Sequence, residues 1–307
     1  HDQGECHGWM GVRVQSSPNA QPDDIILHIR LLDDTNLEQQ DALGILGVNL
    51  IYSAYYLAET LSADPGLFLR SLKDNLKWGR IEIDFAEFHG PTLGSINNQH
   101  VAPELVNSSL TRSVLYNDRG EVAPPSDVMY KRSVLAVRCE MRAETGVDTQ
   151  IFEAAKARFL SQKHVTEDSS IFLAEISMHH DEDAEDFATA EVLARMKFLS
   201  SLGFHVLVSE YLRYFRIREY LARYTREPVA LVTSFDGLAN VMCEENYKGL
   251  AGGFLEGLGR LFLRDTVLYV GENYGKAKER ELDELTLPNH LRPLLSYFCK
   301  NGQIIYL

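Results

Sequence analysis

Short runs of β-branched and aliphatic residues alternate with longer helical patterns along almost the whole chain, and this alternation limits the fold more than any motif does. The strand-like runs are Ile25–Leu31, Arg80–Phe85, Val134–Cys139, Ile171–Ile176, His205–Ser209, Val229–Ser234, Thr266–Val270 and Gln303–Tyr306. Between them lie helical stretches, among them Leu37–Leu61, Pro65–Asn75, Ala102–Arg112, Thr149–Ser161, Asp183–Leu202, Tyr211–Tyr224, Gly252–Leu263 and Pro288–Asn301. Strands separated by helices indicate parallel strands joined by helical crossovers, so the expected class is α/β. Eight strand candidates fit an eight-stranded β/α barrel and also fit an open doubly wound parallel sheet, with the barrel set slightly ahead. Both architectures place ligand sites beyond the carboxyl ends of the strands.

Boundary chemistry agrees with this reading. Asp64-Pro65 stops one helix and starts the next, and Gly203 and Gly302 end helices just before strands. Residues 23–307 read as one domain, and 1–22 as an N-terminal extension in which Gly11–Gln15 has the alternation needed to pair with Ile25–Leu31. The start at His1, without methionine, reads as the end of a missing N-terminal region or as a processed terminus. Asn117–Ser126 carries Asn-Asp-Arg-Gly and Pro124-Pro125, which is turn chemistry, so an inserted loop or hairpin is expected near 113–127. Ala42–Leu61 is long and apolar but is interrupted by Gly44, Gly47, Asn49 and Glu59, which favours a buried helix over a membrane span.

With 44 acidic against 30 basic residues the chain carries a net charge of −14, which repels a polyanion and argues against general nucleic-acid binding. Its four scattered cysteines, Cys6, Cys139, Cys243 and Cys299, form no C-x-x-C pair, so neither a disulfide framework nor a zinc ribbon is expected and a cytoplasmic setting fits.

Polar residues bunch just past the strand candidates: Asp33-Asp34, Glu87 to His89, Glu140, Met178 to Asp181, Ser209-Glu210, Ser234 to Asp236 and Glu272-Asn273. Helix caps and solvated loops account for part of this. His179-His180-Asp181-Glu182-Asp183 is the densest group of metal-ligand types, but adjacent residues on extended backbone point apart and no third histidine stands at a recognised spacing, so no metal is assigned. Asp33, His179 and Glu210 remain as acid–base candidates. Five arginines (Arg213, Arg216, Arg218, Arg223, Arg226) fall within the 18 residues from Ser209 to Arg226. Arginine at a helix start just past a strand suits a phosphate or carboxylate, and Ser209, Arg213 and Arg216 are the expected anion-binding side chains. Pairing with surface acids and an RNA groove are the competing readings of this run. The glycine-rich run from Gly249 to Arg260 is neither a G-x-G-x-x-G after a strand nor a P-loop. Its readings are close helix packing at Gly253 and Gly257, or anion binding by the amides of Gly252 and Gly253.

Several segments, including Ile29 to Asp33, Gln39 to Tyr52, Arg80 to Asp84, Tyr130 to Arg132, Tyr220 to Thr225 and Gly252 to Phe262, resemble an uncharacterised bacterial protein family. Its members are often labelled nicotinate-nucleotide adenylyltransferase or TonB-dependent receptor. The first label implies an H-x-G-H tetrapeptide and the second a long membrane barrel of alternating strands; neither pattern occurs in this sequence. The resemblance implies a bacterial, non-secreted protein and transfers no catalytic residue. Two functions lead among the readings of the residues, ahead of a metal hydrolase built on His179, His180 and the neighbouring acids. One is an enzyme or binding protein for a small anionic, phosphorylated or nucleotide-like molecule at the strand ends, with no cofactor specified. The other is a non-catalytic interaction or scaffold domain, oligomeric or packed against a missing N-terminal region.

Overall fold

A computed structural model of the chain describes residues 6–56, 64–77, 79–139, 149–178, 189–271 and 287–307. Strands β1 (Cys6–Val14), β2 (Asp23–Leu31) and β3 (Ile81–His89) form a three-stranded antiparallel sheet with β2 in the middle. The expected pairing of the N-terminal alternating segment with Ile25–Leu31 is formed, with Val12 opposite Ile25. Helices α1 (Asn36–Tyr56) and α2 (Pro65–Ser71) connect β2 to β3, and α3 (Asn98–Asn107) follows β3.

The second sheet has seven strands: β4 (Ser113–Tyr116), β5 (Ser133–Cys139), β6 (Ser170–Ser177), β7 (His205–Ser209), β8 (Val229–Ser234), β9 (Val267–Gly271) and β10 (Ile304–Tyr306). Their spatial order is β10-β9-β8-β5-β6-β7-β4, and all neighbours are parallel except the β4–β7 pair. The class is therefore α/β, and of the two architectures the open doubly wound sheet is the one formed. The barrel does not close for a physical reason. Two of the eight expected strands, β2 and β3, pair antiparallel with each other in a separate sheet, and the six parallel strands that remain end at an open edge. The segment expected as an inserted loop holds β4, a turn bridged from Tyr116 to Val122, and the short helix α4 (Pro125–Met129).

From β5 the chain builds outward through β6 and β7, then returns to the other side of β5 and builds outward again through β8, β9 and β10. Helices α5 (Thr149–Leu160) and α6 (Thr189–Ser201) cover one face; α7 (Tyr214–Tyr224), α8 (Phe235–Val241), α9 (Gly253–Leu261) and α10 (Arg292–Lys300) cover the other. The central strands are thus buried on both faces, which is why their sequences are nearly continuous apolar runs. On the first face Leu135, Val137, Ile176 and Val208 meet Phe152, Phe159, Val192 and Met196, in a cluster that continues into the small sheet through Val101, Leu105, Ile25 and Leu27. On the second face Val134, Leu173, Leu207 and Leu231 meet Phe215, Leu221, Leu238, Leu258 and Phe298. Burying each such aliphatic or aromatic side chain contributes about 1.5–3 kcal/mol.

Helix α1 buries Ala42, Leu46, Leu50 and Ala54 along one stripe and leaves Val48, Ile51, Tyr52, Tyr55 and Tyr56 exposed along another, so it is not enclosed all round. Among the described residues no helix is long and apolar enough to cross a membrane.

In α9 the packing role of the glycine run falls to Gly257, because a Cβ there would enter the ring of Tyr247, whereas Gly259 faces open space. Gly257→Ala is expected to destabilise the fold by about 1–3 kcal/mol through overpacking. Gly259→Ala should be neutral or stabilising by up to ~1 kcal/mol from helix propensity. Urea unfolding of the two variants checks the contrast.

Candidate functional site

The strand order reverses between β5 and β8, and in open α/β sheets the crevice beyond the carboxyl ends of the strands at that reversal is where ligands bind. The loops that follow β5, β6 and β9 at this edge lie outside the described residues. The described part of the edge is built from one side of the sheet. Arg138 near the end of β5, Glu175 on β6, Ser209 at the end of β7 and Thr233 on β8 are at alternating positions that share the face covered by α7.

Glu175 is the centre of this group, almost wholly buried and adjacent to Arg138 in the strand register. Its carboxylate accepts from Arg138 Nε at 2.7 Å and Nη2 at 3.3 Å, and from Ser209 Oγ at 2.6 Å. Arg138 also donates from Nη1 to the Leu212 carbonyl at 2.9 Å and from Nη2 to the Tyr211 carbonyl. It lies 4.9 Å over the ring of Tyr214, whose hydroxyl is 2.8 Å from Thr233 Oγ1. Burial works to lower the Arg138 pKa, but the charge and hydrogen bonds of Glu175 outweigh it and the net shift is upward. The result is a fixed cation that holds residues 211–214 across the carboxyl ends of β5 and β6 and sets where α7 begins.

Of the expected anion-binding residues, Ser209 is in this group, with its hydroxyl committed to Glu175. Arg213 is the N-cap residue of α7, which no side chain caps. Its guanidinium is half-buried, and burial lowers its pKa, with Tyr247 and Cys243 acting in the opposite direction and Arg138 adding to the fall. Among the described residues it makes no hydrogen bond and no ion pair. Arg216 is placed differently, in a surface chain of charges. It pairs with Glu219 at 3.1 Å, Glu219 pairs with Arg260 at 2.6 Å, and Arg260 pairs with Glu256 at 2.5 Å. Glu256 in turn accepts from the Gly252 amide at 2.6 Å, which, ahead of Arg260, holds its carboxyl below the usual range. The Gly252 amide is therefore already occupied by a carboxylate of the protein, and the amide of Gly253, at φ +57°, donates to the Leu250 carbonyl.

The acid–base candidates are dispersed. Glu210 follows Ser209 at the end of β7; burial raises its carboxyl pKa, against the opposing charges of Arg112 and Lys73. Asp33 follows β2, in the other sheet, and is paired with Arg80 at 2.8 Å, which also bonds Asp41 at 2.9 Å. His179 lies outside the described residues. Among the described residues no group of three metal-ligand side chains comes together.

The residues that sequence reading missed are Glu175 and Arg138. Each is a single charged position within an apolar run, in Phe-Leu-Ala-Glu-Ile-Ser and Leu-Ala-Val-Arg-Cys, and a charge inside a strand buried on both faces needs a partner. That was the available signal. No family model, no curated protein and no solved structure matches the chain.

Glu175→Ala leaves the Arg138 guanidinium without its carboxylate and should cost about 3–5 kcal/mol in chemical denaturation. Arg216→Ala, in the surface chain, should cost no more than about 1 kcal/mol in the same assay.

Proposed function

We propose that the chain binds a small anionic molecule, phosphorylated or nucleotide-like, in the crevice beyond the carboxyl ends of β5 and β8, with Arg213 as its counter-charge. The observation that carries this reading is the state of Arg213. A half-buried guanidinium beside the reversal of strand order, with no carboxylate among the described residues, is a cation whose charge burial disfavours and an incoming anion would restore. The uncapped start of α7 adds backbone N–H groups and the positive end of a helix dipole at the same place. A ligand that binds only the folded state raises its stability, by about 2.7 kcal/mol at a hundredfold excess over Kd. Thermal shifts measured with ADP, a sugar phosphate and inorganic phosphate should show stabilisation by at least one of them. Arg213→Ala should abolish it and Arg216→Ala should not; the absence of any shift, or an unchanged shift in Arg213→Ala, overturns the reading.

A second reading, an oligomeric interaction domain, is favoured by the exposed stripe on α1. Its residues from Ala42 to Tyr56 carry no charge in a chain of net charge −14, so two copies meet there without the repulsion they face elsewhere. Light scattering coupled to gel filtration should then report a dimer that the double substitution Tyr52→Glu, Tyr55→Glu converts to monomer. A native monomer excludes it.

A further inference from the structure

The small sheet turns one face to α1 and the apolar core. Its other face carries a row of side chains that the crevice does not use. His7 and Trp9 come from β1, His28 and Arg30 from β2, and Glu82 and Asp84 from β3, with Trp9 opposite His28 and Arg30 opposite both His7 and Glu82. The β2–β3 register shifts between His28 and Ile29: Phe85 stands opposite His28 and Ile83 opposite Ile29, so Asp84 is the additional residue of a bulge. Bulges of this kind re-aim a side chain. Here Asp84 Oδ1 lies 2.6 Å from His28 Nδ1, with the two side chains only 4% and 5% exposed. The other oxygen, Oδ2, is also buried and has no hydrogen-bond partner among the described residues. On the far side of the ring, His28 Nε2 lies 3.1 Å from Nδ1 of His7, which is exposed. The Trp9 ring stands edge-on to His28 at 5.0 Å and to Phe85 at 5.5 Å while remaining 58% exposed.

The chemistry of the partners assigns the protons of the neutral imidazoles. A carboxylate only accepts, so a neutral His28 carries its proton on Nδ1, toward Asp84, and presents a lone pair at Nε2. That lone pair takes the Nδ1 proton of His7 as a hydrogen bond, which leaves the lone pair of His7 on its outer nitrogen, Nε2. We propose that Asp84, His28 and His7 form a general-base relay in which His7 Nε2 removes a proton from a neutral substrate held against Trp9. The step balances within the three residues: a proton arrives at Nε2 of His7, the Nδ1 proton of His7 passes to Nε2 of His28, and the positive charge comes to rest on His28 beside Asp84. The substrate class follows from the surroundings. Arg13 is paired with Asp24, and Arg30 with Glu82, which also faces Arg223, so every arginine of the row already has a carboxylate. A neutral molecule with a weakly acidic O–H or N–H and an aromatic or apolar part to lie on Trp9 suits the place better than an anion does.

The groups facing His28 from the neighbouring elements are His7 on β1, Glu82 and Asp84 on β3 and Asp127 on α4, with Tyr220 and Tyr224 of α7 facing Asp84. The hydrogen bond that Asp84 accepts from His28, then its charge and those of Asp127 and Glu82, raise the His28 pKa against the opposing effect of burial. The stability this pair adds is therefore full below the usual histidine pKa of about 6.5 and is lost as pH rises through the higher folded value.

Diethyl pyrocarbonate tests the relay without a known substrate. A neutral imidazole nitrogen attacks its carbonyl carbon, the anhydride C–O bond breaks, ethyl carbonate anion leaves and, taking a proton from water, decomposes to carbon dioxide and ethanol, and the Nδ1 proton of His7 moves to His28. Mapped by mass spectrometry near pH 8, His7 should react faster than the exposed His100 and His164, on the order of a hundredfold, the low end of what assisted proton transfer contributes. Asp84→Asn should return His7 to the rate of those two. Equal rates in the native protein, or an unchanged His7 rate in folded Asp84→Asn, overturn the relay. Long-range nitrogen–proton NMR of the native protein decides it independently if that variant fails to fold: neutral His7 and His28 should both be protonated at Nδ1, and a neutral His7 protonated at Nε2 excludes the mechanism.

Discussion

A carboxylate buried in the middle of a parallel sheet must be matched by a cation, and the pairing of Glu175 with Arg138 is the constraint around which the large sheet is arranged. The two residues sit side by side on β5 and β6, and Ser209 extends the group to β7, so the carboxyl ends of three strands are joined by side chains as well as by backbone. The remaining donors of Arg138 hold the carbonyls of Tyr211 and Leu212. The segment between β7 and α7 is thereby drawn back over β5, and Tyr214 reaches Thr233 on β8, on the other side of the reversal in strand order. Shifting either strand by one residue would turn its own charge into the opposite core and part the pair.

Much of the fold was legible in the sequence because parallel strands covered on both faces leave continuous apolar runs. All six parallel strands stand where such runs stand, and the helices between them follow the expected order. The distinction between barrel and open sheet was not legible, because it depends on which strands β2 and β3 pair with. Ile25–Leu31 has the composition of a core strand, and only its antiparallel partners, one an alternating segment counted as an extension, remove it from the parallel set. Asp33 was placed at a ligand-bearing strand end by the same misassignment. The candidate site was legible in part. Ser209 and Arg213 stand out as polar residues after a strand; Arg216 and Gly252 are taken up by local partners, Glu219 three residues on and Glu256 four residues on, and only the link from Glu219 to Arg260 needs α7 to pack on α9. The relay on the small sheet left no pattern, since His7, His28 and Asp84 meet through strand pairing and a bulge across 78 positions of the chain.

The charge balance also takes a different meaning in three dimensions. An excess of 14 acidic groups does not leave the arginines idle: Arg13, Arg80, Arg138, Arg216 and Arg260 each hold one carboxylate or more. Buried Arg218 departs from this pattern in another way. It donates to Thr266 Oγ1 at 2.5 Å and to the Leu263 carbonyl at 3.1 Å just past the end of α9, and burial pushes its pKa down to about 10. There a cation faces the negative end of a helix instead of a carboxylate.

The outer strands of the large sheet are its shortest: β4 has four residues and β10 has three, against eight in β6. A sheet edge offers unpaired amides and carbonyls to any extended chain that arrives, and the length of that edge decides how firmly a visitor is held. Edges this brief give an incoming strand only a few bonds. The apolar central strands of this sheet, the segments best able to seed strand-to-strand assembly, are enclosed on both sides by their own neighbours, whereas the nine-residue β1 leaves a longer edge on the small sheet.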